Sequence, residues 1–342
     1  IDPPAKQVLS SYFEAEIFPI CTPLALHPCP TFPFISNASL NLLVELEDGD
    51  ERRLGRVKVP GGMPRCLPVP GRRNTFILLE EVIKAHLPSL YPGMKVKGGH
   101  LFRVIRDADV EIRELEASDL ITAVEQTLRL RRMGAPVMLE AQSSIPEECL
   151  SILKEGLELD DRFVMRVPGQ LGMSFLWELT GLDMPEHKLP AQHPFRTVSL
   201  ENSSSLFEQI RRGPILLHMP YDSFNPIQTM VDSAVHDPHV ISIKQTLYRV
   251  GSSSPIVESL LAAANQGRQV AVMVELKARF DENNNLVWAK ALERAGAHVA
   301  YGFAQMKTHC KLLQVVRREP EGIRRYTHIG TGNYNPATAR LY

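Results

Sequence analysis

The chain has 342 residues, 44% of them hydrophobic, and its 38 Lys and Arg against 39 Asp and Glu leave a formal net charge of -1. That length carries two ordinary domains, each with its own core, while the balanced charge excludes a global basic field that would coat a nucleic acid and confines any polyanion site to a local patch. Apolar runs stay short of the roughly 18 residues that span a bilayer, the N-terminus lacks the zones of a secretion signal, and Cys21, Cys29, Cys66, Cys149 and Cys310 form no C-x-x-C pair, which argues against a zinc site and against a disulfide scaffold.

These features read as a soluble protein of the reducing cytoplasm. Opening at Ile1 and stopping at TARLY inside a patterned stretch, the sequence also reads as a piece of a longer chain. Its first half predicts an α+β module. SLNLLVELEDGDERRLGRVKVP (39–60) reads as two strands joined at Asp48-Gly49, the commonest kind of hairpin signal. HLFRVIRDADVEI (100–112) adds two short strand candidates. ASDLITAVEQTLRLRRMG (117–134) predicts a helix with Ser118 as N-cap, Ile121, Val124 and Leu128 on one stripe and Gly134 as the stop. A second helix opens at SSIPEECLSILKEG, where Ser144 and Glu147 have capping-box spacing. The three prolines of GLDMPEHKLPAQHPF (181–195) mark a domain boundary, dividing a head domain over 1–190 from a second domain over 191–342.

The second half changes rhythm. VISIKQTLYR (240–249) and QVAVMVELKAR (269–279) read as buried strands, and SPIVESLLAAANQG (254–267) and NNLVWAKALERAG (284–296) as helices ending in glycine. HVAYG, KLLQVV and RRYTHIG supply further strands. Apolar strands alternating with helices predict an α/β domain with a mostly parallel sheet, covered on both faces.

In such sheets ligands gather beyond the carboxyl ends of the strands, where Arg249 and Lys277-Ala278-Arg279 fall. Arg249, Arg279 and His309 follow one another at intervals of 30 residues, so successive βα units could bring them to one rim. If QMKTHCKLLQVV (305–316) is extended, alternation sends Lys307, His309 and Lys311 to one face. The small residues of IGTGNYNP (329–336) let backbone N–H groups turn toward an anion. The composite is a positively charged, phosphate-sized pocket around one imidazole. Plain structural uses exist for each part: strand-edge lysines guard against aggregation, and Gly and Asn are ordinary turn residues. His187, His193, His218, His236, His239 and His298 have no comparable company, and strand-end packing explains His328 as well as function does.

The runs IKQTLYR, SPIVESLLAAANQGRQVAVMVELKARFDENNNLVWAKALERAGAHVAYG, KTHCKLLQVVRRE and YTHIGTGNYNPATARLY resemble the polyphosphate kinase family continuously over 200–342, and YFEAEIFPICTPLALHPCPTFPFISNASLNLLVELE and FRVIRDADVEI resemble its head domain. The resemblance implies a phospholipase D-like fold for the second half, with His309-Cys310-Lys311 as its H-x-K motif. Val316 stands where the phospholipase D pattern has an aspartate, which disfavours phosphodiester hydrolysis.

By the same resemblance, His309 is the histidine that becomes phosphorylated, with Lys307 and Lys311 beside it. Arg249 and Arg279 match arginines assigned to magnesium, and Tyr342 matches a nucleotide contact, with Asn333 and Asn335 in the adjoining loop. A guanidinium has no lone pair for Mg²⁺, so the arginines are expected to hold phosphate oxygens that in turn coordinate the ion. The implied activity is reversible transfer of the terminal phosphate of ATP to inorganic polyphosphate through phosphohistidine. Mg²⁺, ATP, ADP and polyphosphate are thus its cofactor and partners, with no nucleic acid; family members form homo-oligomers and some associate peripherally with a membrane. The family's N-terminal domain and second phospholipase D-like domain are not in this stretch, so weak or no turnover is expected from it alone. A phospholipase D-like phosphodiesterase or nuclease, and a non-catalytic polyanion-binding module, are the alternatives.

Overall fold

The computed structural model, which describes residues 1–28, 31–108, 121–122, 131, 133–190, 193–194, 206–276, 281–302 and 306–341, forms the expected hairpin from β2 (Leu40–Asp48) and β3 (Glu51–Lys58). Asp48 pairs with Glu51, leaving a two-residue turn in which Gly49 takes φ +63, a conformation that favours glycine. The chain divides into two compact units, the first within Ile1–Glu111 and Arg129–Lys188, the second within Ile112–Leu128 and Leu189–Tyr342.

In the first unit β1 (Pro23–His27), β2, β3, β6 (Lys95–Arg106), β7 (Pro136–Gln142) and β8 (Val164–Val167) form a sheet in the order β1-β3-β2-β6-β7-β8; β4 (Cys66–Pro68) and β5 (Phe76–Leu78) pair separately. Period-two alternation splits its core. Leu42, Val44 and Leu46 of β2 face one cluster with Phe13, Val82 and Ile83, and Leu43 faces another with Phe102, Leu150 and Leu153. The first cluster is covered by α1 (Pro3–Tyr12) with the turn after it and by α2 (Leu79–Ala85), the second by α3 (Glu147–Leu157).

One local reading is extended and one needs correction. The first strand candidate of 100–112 is part of a single twelve-residue strand, β6, paired with both β2 and β7; the rest of that stretch, from 109, lies outside the described residues. The Ser144–Glu147 capping box does not form, because α3 begins at Glu147 behind Pro146 and the Glu147 carboxylate is taken by Arg166. Most of the helix expected over 117–134 also lies outside the described residues.

The second unit is built on β9 (Val240–Leu247), β10 (Gln269–Val274), β11 (His298–Tyr301), β12 (Lys311–Glu319) and β13 (Gly322–Gly330), in the order β11-β10-β9-β12-β13. β9, β10 and β11 are parallel, joined through α5 (Pro255–Asn265) and α6 (Glu282–Arg294); α4 (Asn225–His236) precedes β9. The expected mostly parallel sheet is corrected to a mixed one, since β12 runs antiparallel to both β9 and β13. Only nine residues separate β11 from β12, fewer than the dozen or more that a parallel crossover requires.

The register also fixes which face is buried. Ile243, Val272, Val274, Leu313, Val315 and Tyr326 join Val231, Leu260 and Leu286 of the three helices in one cluster. On the other face Lys244, Ala271 and Gln314 are half-buried or exposed. Among the described residues the helices therefore cover one face of this sheet, where cover on both was expected.

Candidate active site

The reversal at β12 decides where the site falls. The chain leaves β11 at one end of the sheet and re-enters as β12 on the far side of β9, about 14 Å across at the usual strand spacing. Because β12 is antiparallel to β9, its first residues lie at the carboxyl end of β9. The parallel units β9–α5–β10–α6–β11 bring the chain to the carboxyl end of the sheet, as expected, and the reversal into β12 then sets the residues before it beside the end of β9.

Two contacts fasten the segment before β12. Glu275, 1% exposed at the end of β10, accepts a 2.7 Å hydrogen bond from the Thr308 amide. Gly302 makes room for this contact, since a Cβ there would lie 2.9 Å from Thr308 Oγ1 and 3.0 Å from Glu275 Oε2. Thr246 of β9 donates its hydroxyl to the Cys310 carbonyl at 2.7 Å and accepts the Leu312 amide at 2.9 Å. His309 sits between these two fastenings, with its side chain exposed.

The strand expected at KLLQVV forms and begins at Lys311, while Lys307–Cys310 lie outside any strand, so the alternation that an extended 305–316 would give does not apply to them. Lys307 and His309 are exposed, whereas Lys311 is 2% exposed. A buried ammonium needs partners. Lys311 Nζ donates to the His309 carbonyl at 2.6 Å and lies 4.9 Å from the centre of the Tyr248 ring. Burial pushes the Lys311 pKa down, and the Arg249 charge adds to that effect while Cys310 opposes it.

Tyr248, 7% exposed, is the hub of the site. The His309 imidazole meets its ring at 5.3 Å between centroids and 76° between planes, and Arg249 Cζ lies 5.4 Å from its centre. One aromatic ring thus gathers an imidazole, a guanidinium and an ammonium, and its negative face suits both cations. The sequence signal for it was the aromatic in LYR directly before the rim arginine; for Glu275 it was the single acid closing the apolar run VAVMVE.

The loop after β13 completes this side of the site. Asn335 Nδ2 donates to the Arg249 carbonyl at 3.2 Å, and Asn335 Oδ1 accepts from the amides of Ala337 and Thr338 at 3.0 and 3.4 Å. Both ends of that side chain are engaged within the chain. Asn333 lines a cavity of about 410 Å³ together with Leu217, Met219, His328 and Tyr334. His328 Nδ1 and the Tyr334 hydroxyl share a 2.8 Å hydrogen bond; burial lowers the pKa of the imidazole and, with the nearby Cys310, raises that of the phenol. Arg279 and Tyr342 lie outside the described residues.

The donor chemistry does not suit a metal bound directly by protein at Arg249. A guanidinium offers no lone pair, and among the described residues no three His, Cys, Asp or Glu side chains come together in a way that could hold an ion. The described free thiols, Cys21, Cys66, Cys149 and Cys310, are dispersed. No described helix is long and apolar enough to cross a membrane.

Comparison with known proteins covers both units. The family described as "Polyphosphate kinase middle domain" matches residues 5–179, and "Polyphosphate kinase C-terminal domain 1" matches residues 205–342. The chain is 48% identical over 347 residues to a polyphosphate kinase of Prosthecochloris aestuarii, covering 98% of this chain and 49% of that protein. It is likewise 48% identical over 353 residues to polyphosphate kinase 1 of Chlorobaculum tepidum, covering 100% and 51%. The crystal structure of polyphosphate kinase from Porphyromonas gingivalis superposes with a TM-score of 0.75 at 29% identity, over 98% of this chain and 49% of that one. The chain spans about half the length of the curated relatives it matches.

Proposed function

The chain belongs to the polyphosphate kinase family, and on that premise we propose that it carries the phosphoryl-accepting site of an enzyme that moves the terminal phosphate of ATP reversibly onto inorganic polyphosphate. The observation that carries the reading is the exposed His309 imidazole on the Tyr248 ring, with Arg249 and Lys311 on the same ring. Phosphoryl transfer needs positioning and charge neutralisation more than elaborate covalent chemistry. A ring nitrogen of His309 attacks the γ-phosphorus in line, the bond to the β–γ bridging oxygen breaks, and its electron pair leaves with ADP. The terminal phosphate oxygen of a polyphosphate chain then attacks the phosphohistidine, releasing the imidazole and lengthening the polymer by one unit. High ADP drives both steps backwards.

Arg249 and Arg279 hold non-bridging phosphate oxygens through their forked donors, and Lys307 adds mobile positive charge. Lys311 acts from beneath: it fixes the His309 carbonyl and contributes field without leaving its buried place. Tyr342 and Asn333 serve as nucleotide contacts, and Asn335 acts through the Arg249 carbonyl. Arg249 and Arg279 would hold the phosphate oxygens to which Mg²⁺ binds, and the ion would supply further neutralisation of their charge.

The reading extends to a head domain over 1–190 and a phospholipase D-like domain over 191–342, in a cytoplasmic homo-oligomer with peripheral membrane contact. Diester hydrolysis is the weaker reading, since Val316 offers no carboxylate where that chemistry has one. The test is incubation of the intact protein with terminally labelled ATP. An acid-labile, base-stable label that is lost in His309→Gln supports the proposal; a label of equal size in that variant removes His309 from the role.

A further inference from the structure

Arg249 has a backbone that its residue type does not favour. It takes φ +53 immediately beyond β9, in the left-handed region, where a side chain with a Cβ crowds its own peptide groups. Such a conformation persists only where surrounding contacts over-determine it. At Arg249 those contacts come from outside its own strand. Its carbonyl accepts the side-chain amide of Asn335 at 3.2 Å, from the loop after β13. Two residues on, Gly251 donates its amide to Asp281 Oδ2 at 3.1 Å and accepts the Trp288 indole N–H at 2.8 Å. Asp281 stands directly before α6 and Trp288 lies on it, so the turn is held from two sides.

The orientation of the Asn335 amide follows from its partners. Its oxygen lies toward two backbone N–H groups, Ala337 and Thr338, which can only donate. Its nitrogen lies toward the Arg249 carbonyl, which can only accept. A flipped amide would lose all three contacts. Asparagine therefore fits this position by chemistry as well as size, and an isosteric carboxylate would set an oxygen against the Arg249 carbonyl.

We propose that Asn335 is a positioning residue for the anion site: by bracing the Arg249 carbonyl it holds the left-handed backbone that keeps the guanidinium beside Tyr248 and His309, ready for a phosphate oxygen. This rests on the reading that Arg249 binds phosphate and adds what aims it. With the brace gone, Arg249 relaxes to negative φ, its Cβ swings to a new direction, and the guanidinium leaves the ring.

The test uses the intact protein with inorganic tripolyphosphate as the probe, titrated calorimetrically against wild type, Asn335→Asp, Arg249→Ala and the double variant. Asn335→Asp keeps an oxygen acceptor for Ala337 and Thr338 but loses the donor and adds a negative charge, so Asn335→Ser, which loses the donor without adding charge, is titrated beside it. We expect each to weaken affinity about tenfold, the order of one lost hydrogen bond to a group that must stay fixed. In the Arg249→Ala background the same change should shift affinity less than about twofold, because coupled residues are non-additive. Equal effects in both backgrounds overturn the proposal, since a general loosening of the loop acts whether or not the guanidinium is present. A crystal structure of Asn335→Asp gives the second readout: Arg249 at negative φ supports the brace, and Arg249 unchanged at positive φ overturns it. Asn335→Ser, which also keeps a short oxygen acceptor without the amide, serves both measurements if the Asp variant does not fold. Neither readout involves phosphohistidine, so absence of label at His309 would defeat the proposed reaction while leaving this inference standing.

Discussion

Replacing Tyr248 by Leu removes the ring that gathers the site and leaves most of the apolar volume. Lys311, 4.9 Å from the ring centre and 2% exposed, loses a desolvated cation–π contact worth about 2 kcal/mol. Arg249, at 5.4 Å and exposed, loses roughly 0.5–1 kcal/mol, and the edge contact of His309 at 5.3 Å is worth about as much. Together these come to about 3 kcal/mol, or roughly a hundredfold in rate if all of it is felt while the phosphoryl group is in transit. Tyr248→Phe keeps the ring and so keeps all three contacts. Rapid-quench measurement of His309 labelling from ATP in the intact protein should place Phe within about threefold of wild type and Leu about a hundredfold below it. If Leu and Phe label at the same rate, the ring does not organise the site.

Glu275→Ala frees the Thr308 amide one residue from His309 and should slow labelling about tenfold, whereas Glu275→Gln retains an acceptor and should stay closer to wild type; equal losses in the two variants would place the effect in the charge instead of the hydrogen bond. Burial holds His328 below its ordinary pKa of 6.5, so the unfolded chain takes up a proton there before the folded one does. The associated stability is fully present above 6.5, falls as pH drops through that value toward the lowered folded one, and is absent below both. Urea midpoints from about pH 7.5 to about pH 5 should therefore fall more steeply for wild type than for His328→Gln, and parallel slopes would refute this. In the first unit, Arg65 pairs with a Glu80 carboxylate whose side chain is 0% exposed. Removing it in Glu80→Ala leaves the half-buried Arg65 guanidinium with the Leu171 and Gly172 carbonyls but no counter-charge, and should cost about 3 kcal/mol by urea denaturation, with a loss under about 1 kcal/mol as the contrary result.

The parts of the fold most legible in the sequence were those set by local pattern. Alternation and a two-residue turn give the β2–β3 hairpin, and apolar runs bounded by glycine give β9, α5, β10 and α6. What sequence pattern missed depended on contacts between distant residues. Ser144 has the spacing of a cap, but its partner Glu147 goes to Arg166, on a strand beyond the helix. The βα repeat expected to carry the chain from Arg249 toward His309 is present in β9, β10 and β11, but the antiparallel return of β12, which sets its first residues beside the end of β9, was not foreseen. That return was readable, because the nine-residue link between β11 and β12 is too short to support a parallel crossover. Tyr248 and Glu275 went unmarked since neither is a nucleophile or a phosphate-binding cation. Their value lies in what they hold, and only packing reveals that.

The most direct measurement is a chase. Intact protein labelled from ATP is freed of nucleotide and divided, one portion receiving unlabelled polyphosphate and the other ADP. If His309 carries the phosphoryl group between substrates, the label leaves the protein at the rate of turnover, appearing at the end of the polymer in the first portion and as ATP in the second. A label that stays on the protein in both portions while fresh enzyme continues to make polyphosphate would show that His309 lies off the path of the phosphate.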